Sequence, residues 1–206
     1  MEIALLFSFL LASIVLTLMP GPDILYVLTE SSINGAKTGI SIALGLVTGV
    51  LIHTALAATG LSILIYQSDL AFQIVKYFGA AYLFYLAYQA VFEKQQKLTT
   101  NNGIEKQFSF ISNYRKGFLM NVLNPKVSVF FIAFLPKFVS PDGWSPILQM
   151  MLLGLIFIIQ AIVIFTLVSV LAGNLSKYLQ NEKFWEISKW IKVFVLVAIA
   201  ISLLIV

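Results

Sequence analysis

Long apolar runs cover most of this chain, several exceeding the roughly 20 residues needed to cross the hydrocarbon core of a bilayer. They are continuously apolar, do not alternate, and are too long for the staves of a barrel, so they predict helices in lipid. Six spans follow from the pattern: Ile3 to Leu28, Gly39 to Tyr66, Leu70 to Phe92, Gly117 to Phe138, Ile147 to Gly173 and Trp185 to Val206. Of the 206 residues, 60% are hydrophobic and 11% charged, and the mean hydropathy is +0.95. Too few polar residues remain to coat a soluble domain of this size. The first apolar run follows Met1-Glu2 without a basic segment or an Ala-x-Ala cleavage site, so it is expected to be retained as a helix.

The net charge of +4 would suggest nucleic acid if the basic residues formed a patch, but they lie in short segments between apolar runs. Lys37, then Lys94, Lys97, Lys106, Arg115 and Lys116, then Lys177, Lys183 and Lys189 follow the first, third and fifth spans. The opposite side has little beyond Lys137 and Lys76. Positive charge marks cytoplasmic loops, which places both termini outside the cytoplasm and leaves membrane lipid, not nucleic acid, as the surrounding partner. Trp144, Trp185 and Trp190 sit near span ends, where an interfacial belt would want them. The chain has no cysteine, which removes disulfides, thiolate metal sites and dithiol relays together.

Residues 93–116 form the one long polar stretch, and its Thr99-Thr100-Asn101-Asn102-Gly103 reads as a flexible linker. It divides a single transmembrane domain, residues 1–206, into a first repeat at 1–92 and a second at 117–206. Three helices per half is an odd number, so related halves must be inverted with respect to each other, a plan that secondary transporters use. Two similarities support a repeat. Met19-Pro20-Gly21-Pro22-Asp23 and Leu123-Asn124-Pro125-Lys126 put a proline break in the first helix of each half, and Ala43-Leu44-Gly45-Leu46 parallels Leu152-Leu153-Gly154-Leu155.

The breaks carry the candidate site. Proline removes a backbone donor and clashes with the carbonyl four residues earlier, at about 3 kcal/mol in a soluble helix. A carbonyl freed in this way cannot face lipid and must lie against protein or a wet cavity. Pro20, Gly21 and Pro22 are therefore expected to meet Pro125 either in a packing kink or in a binding site. Lys126 lies within a span, where a charge costs about 3 kcal/mol, and needs a partner. Aligning Pro22 with Pro125 makes Asp23 its equivalent in the other half and its natural partner. The pair is either a structural salt bridge or a site for a zwitterion, with Lys126 on a carboxylate and Asp23 on an ammonium group.

Asn121 and Asn124, three apart on one helix face, can contact a ligand or tie helices together. His53, the only histidine, has the chemistry for proton coupling or for a plain interhelical hydrogen bond. Gln149 and Gln160 are candidates for interhelical bonds. Gly45 and Gly49 form a small-xxx-small pair expected to allow close helix approach. Tyr77, Tyr82, Tyr85 and Tyr88 spread over more than one helix face, and Lys76 is expected to snorkel outward.

Phosphate-loop, zinc-protease and nucleophile-elbow motifs are absent from the sequence, which argues against an enzyme and implies no cofactor or metal. The run Pro20-Gly21-Pro22-Asp23, then Gly35-Ala36-Lys37-Thr38-Gly39, Ala43-Leu44-Gly45 and Gly49, then Asn124-Pro125-Lys126, Phe130-Phe131 and Phe134-Leu135-Pro136-Lys137-Phe138 resembles the LysE/RhtB family of amino-acid exporters over nearly the whole chain. The Leu-Pro-Gln-Phe typical of that family reads Leu135-Pro136-Lys137-Phe138 here, placing a cation at the outer rim. The resemblance implies efflux of an amino acid or small metabolite across the bacterial cytoplasmic membrane, driven by the proton-motive force. The alternative is a non-transporting structural or assembly subunit. A homodimer is compatible with the sequence and is not specified by it.

Overall fold

The computed structural model describes residues 3–61, 69–93, 108–140, 143–179 and 181–205, and every regular element among them is helical. In chain order these are α1 (Ile3–Leu18), α2 (Pro22–Asn34), α3 (Ala36–Leu56), α4 (Asp69–Val91), α5 (Phe110–Val122), α6 (Pro125–Val129), α7 (Pro146–Leu179) and α8 (Glu182–Ile205). A π-turn, Ala57–Leu61, continues α3, while a π-turn at Phe130–Phe134 and a 3-10 turn at Leu135–Phe138 continue α6. The widening before Pro136 has a simple cause, since that residue has no N–H to offer the carbonyl of Ile132.

Both expected breaks are present. α1 and α2 meet at 56°, and α5 meets the Pro125–Phe138 segment at 49°. Pro22 and Pro125 each occupy the first turn of the restarted helix, where a missing N–H costs nothing. The residue before each proline is pushed out of the helical region, as Pro Cδ requires: Gly21 at φ −173°, ψ 175° and Asn124 at φ −79°, ψ 107°.

Three described helical segments, Ala36–Gly60, Pro146–Ala172 and Trp185–Ile205, are long and apolar enough to cross a membrane, and taking each bent pair as one span raises the number to five. The third sequence-predicted span forms α4 but is not among these; it carries Gln73, Lys76, four tyrosines and Gln89. Its 23 residues would reach about 34 Å at the helical rise. Exposed side chains are those lipid would want, such as Phe7, Leu51, Phe78, Leu155 and Phe194.

Several boundaries differ from the sequence reading. The first span does not stop at Leu28, because α2 runs to Asn34 and packs its polar end on α7, with Ser32 Oγ donating to Ala172 O at 3.2 Å. It ends at Gly35, whose φ of +83° suits glycine alone. The fourth span begins before Gly117: Ser109 accepts from Ser112 N at 3.4 Å and caps α5, so Arg115 and Lys116 lie on a helix, not in a linker. The Thr99 to Gly103 tract and Tyr66, the predicted end of the second span, lie outside the described residues. Trp144 and Trp190 are exposed as expected of a belt, but Trp185 is buried. Gln149 binds the loop before its own helix, through Ser140 N, Ser140 O and Trp144 O, and so does not bridge helices.

The bundle is organised around α3, which packs on α2, α5 and α7, while α4 pairs with α8 and α7 also covers α1. Small residues set the α3–α5 spacing. A Cβ on Gly45 would lie 2.0 Å from Tyr114 O, and one on Gly117 would lie 2.1 Å from Ile42 O, both backbone atoms that cannot yield. Away from this seam, Phe9, Phe130, Phe131, Phe134, Phe138 and Phe157 form a cluster with ring centroids 5.1 to 6.0 Å apart.

Gly45→Ala and Gly117→Ala are each expected to destabilise the purified protein by about 1–3 kcal/mol, the usual cost of overpacking. Gly60→Ala, with nothing within 4 Å of the added carbon, should leave the thermal unfolding midpoint unchanged. Equal midpoints for all three would contradict the close α3–α5 seam.

Candidate transport site between two broken helices

A helical carbonyl normally accepts from the N–H four residues on. Leu16 O would accept from residue 20 and Asn121 O from residue 125, and both are prolines. Leu16 O is taken up by a side chain from the other half of the chain, whereas Asn121 O accepts from Asn124 N at 2.9 Å within its own half and gains a second contact from the other half. Lys126 Nζ donates to Leu16 O at 3.2 Å, and His53 Nε2 lies 3.0 Å from Asn121 O. A carbonyl can only accept, so this contact places the proton on Nε2.

Asn124 fastens the two breaks together. Its Nδ2 donates to Asp23 Oδ2 at 2.7 Å, and its Oδ1 accepts from Lys126 N at 3.0 Å, capping α6. Asp23, Asn121, Asn124 and His53 are all buried. Of the two readings of the Asp23 and Lys126 pair, the structural salt bridge is not formed. Asp23 and Lys126 line one small cavity but make no ion pair, and the ion pairs among the described residues are Lys192–Glu93 and Lys189–Glu186. The reason is competition: Asn124 reaches the Asp23 carboxylate, while the carbonyl freed by Pro20 takes the ammonium group of Lys126.

The cavity is about 20 Å³, room for roughly one water, and Thr17, Asp23, Asn121 and Lys126 are its polar lining. Asp23 Oδ1 and Asn121 Oδ1 are buried without a hydrogen-bond partner. Gln160 Oε1 is in the same condition beside them, while its Nε2 donates to Thr17 Oγ1 at 2.9 Å as an interhelical bond. Gly49 makes room for the site, since a Cβ there would meet Asn121 Cβ and Oδ1 at 2.8 Å.

Of the sequence candidates, Asp23, Asn121 and Lys126 line this cavity. Pro20, Gly21, Pro22, Asn124, Pro125 and again Lys126 line a second cavity of about 310 Å³. His53 lies behind Asn121, its ring 6.1 Å from that of Phe131. Sequence reasoning missed Gln89, Glu93 and Lys192, which line the larger cavity. A lysine seven residues into the last predicted span was the available signal.

Asn124→Asp keeps the cap but sets a second carboxyl against Asp23, so its unfolding midpoint should fall, by an amount equivalent to about 1–3 kcal/mol. Adding Asp23→Asn restores one donor and one acceptor, and the double variant should regain most of the loss. Additive losses would show that the Asp23–Asn124 contact does not join the breaks.

A family model described as LysE type translocator matches residues 14–206. The membrane protein YrhP of Bacillus subtilis, called uncharacterized, is 28% identical over 96% of this chain and 97% of its own length. The homoserine/homoserine lactone efflux protein of Salmonella typhimurium is 31% identical over 86% of this chain and 84% of its own. An uncharacterized membrane protein of Vibrio cholerae is 32% identical over 88% and 87% respectively. No solved structure matches.

Proposed function

The chain belongs to the LysE type translocator family, and from that premise we propose that it moves an amino acid or a closely related small metabolite out of the cell through the site between its two broken helices. It is a transporter, not an enzyme, as its family and its efflux relative indicate. In this reading the six sequence-predicted spans are two inverted repeats of one domain in the cytoplasmic membrane, with both termini outside. Contact of Leu16 O and of Asn121 O with a side chain of the opposite half supports that arrangement. So does the placement of Pro22 and Pro125 at the same point of two restarted helices.

One observation carries the choice of cargo: two orphaned acceptors, Asp23 Oδ1 and Asn121 Oδ1, belong to residues that line the same cavity as a lysine. An ammonium group offers three N–H donors to such acceptors, and the lysine ammonium has donors left for a carboxylate. An α-amino acid carries both groups on one carbon. A cavity of about 20 Å³ cannot hold one, so this is a closed state, and cargo enters when the breaks part. The aromatic cluster lies on the Phe9 side of α1, about 14 Å along the helix from Leu18, and acts as the outer seal. The proton-motive force drives the cycle. His53 is the proton carrier in this reading, with Nε2 held on Asn121 O and Nδ1 outside that contact.

Cells loaded with a panel of amino-acid dipeptides should excrete at least one free amino acid faster when the chain is expressed, and an uncoupler should abolish the difference. Lys126→Met and Asp23→Ala should each cut that excretion by about tenfold or more at normal membrane levels, the size of one lost charged hydrogen bond. His53→Gln, which can donate to Asn121 O but cannot carry a proton, should abolish the uncoupler-sensitive part of the excretion. Wild-type excretion from the Lys126 and Asp23 variants would contradict the assignment.

A further inference from the structure

The larger cavity, about 310 Å³, lies against the same breaks and is bounded by the end of α4 and the early part of α8. It falls at the lower end of the range for small-molecule sites, about 300–1,000 Å³. Three charged groups line it: Lys126, Lys192 and Glu93. Their sum is one positive charge. Lys192 Nζ donates to Glu93 Oε2 at 2.6 Å, and both side chains are mostly shielded from solvent, 14% and 29% exposed. A half-buried ion pair inside a lipid-embedded bundle is costly to build and unneeded for packing, because α4 and α8 already pack on each other. Lys126 lines both cavities.

We propose that this cavity is a loading site for the carboxylate of the cargo, in which Lys192 releases Glu93 and binds the incoming carboxylate before it passes to Lys126. The proposal rests on the export reading and deepens it. Glu93 is then a built-in competitor: it occupies Lys192 when cargo is absent and must be displaced when cargo arrives. Gln89 and Asn124 add neutral polar groups to the cavity lining. The positive balance selects for carboxylate-bearing ligands over analogues in which that group is esterified. Charge placement in the sequence assigns this mouth to the cytoplasmic face, the side from which an exporter loads.

Homoserine and homoserine lactone separate the two classes, because both carry an amine and the lactone has no free carboxylate. In proteoliposomes, uptake of each labelled probe by counterflow gives a KM for each variant. Lys192→Gln should raise the homoserine-to-lactone KM ratio by about tenfold, the effect of one lost charge-assisted hydrogen bond. Glu93→Gln removes the competitor, and the ratio should fall about threefold, whereas a merely structural tie would weaken transport of both probes in both variants. Lys192→Arg should recover most of the wild-type ratio. Unchanged ratios, or changes of the same sign in the Lys192→Gln and Glu93→Gln variants, would overturn the loading site. If wild-type protein moves neither probe, the amino acid that the cells excrete and its methyl ester take their place, and the same changes of ratio decide.

Discussion

A carbonyl that has lost its helical donor must find another before the chain can sit in lipid, and that requirement shapes the centre of this molecule. Pro20 and Pro125 each take the helical donor from one carbonyl; Leu16 O is repaired from the other half, and Asn121 O by Asn124 N in its own half together with a side chain from the other. Lys126 reaches back to Leu16, and His53 reaches forward to Asn121. Each unsatisfied group would cost several kcal/mol inside a bilayer, so the two breaks hold each other in place. Asn124 adds the third tie by joining the α2 and α6 starts through Asp23 and the Lys126 backbone.

Ties of this kind differ from continuous helix in one physical respect. A side-chain donor on Lys126 or His53 can leave its carbonyl without unwinding a turn, provided that water or cargo takes its place. The glycine-lined α3–α5 seam, by contrast, brings backbone against backbone and has no such freedom. Rigid seams therefore flank a centre whose contacts are exchangeable. Placing orphaned acceptors and an underused ammonium group at that centre gives an export cycle both its recognition chemistry and its moving part.

Much of this was legible in the sequence. Apolar run length gave helices in lipid, and the prolines gave the position of both breaks, because those signals act through local backbone chemistry. The small-xxx-small pair Gly45 and Gly49 foretold close approach, though not that Gly49 would seat Asn121. What failed was pairing across distance. Opposite charges at equivalent positions suggested an Asp23–Lys126 salt bridge, but the carbonyl left by Pro20 competes for the same ammonium group, and no charge count reveals that. Lys192 was overlooked for a related reason: near the end of a span it resembles a topology signal, and its partner Glu93 opens the linker, outside both repeats. Residues 29–34 fall outside the first predicted span because they are mostly polar and their cover, α7, is distant in the sequence.

The absence of cysteine from the chain makes the central cavity open to direct chemical interrogation. Asn121→Cys removes an acceptor that has no partner and leaves the backbone carbonyl that holds His53, so the bundle should survive it. Labelling of that single thiol by a small cationic methanethiosulfonate in energised membranes reports whether the space between the breaks ever opens to water and cargo. Reaction that is slowed by the amino acid the cells excrete is the expected result. A thiol that never reacts, or reacts at a rate indifferent to every amino acid tested, would mean that the breaks enclose dry packing and that cargo travels elsewhere.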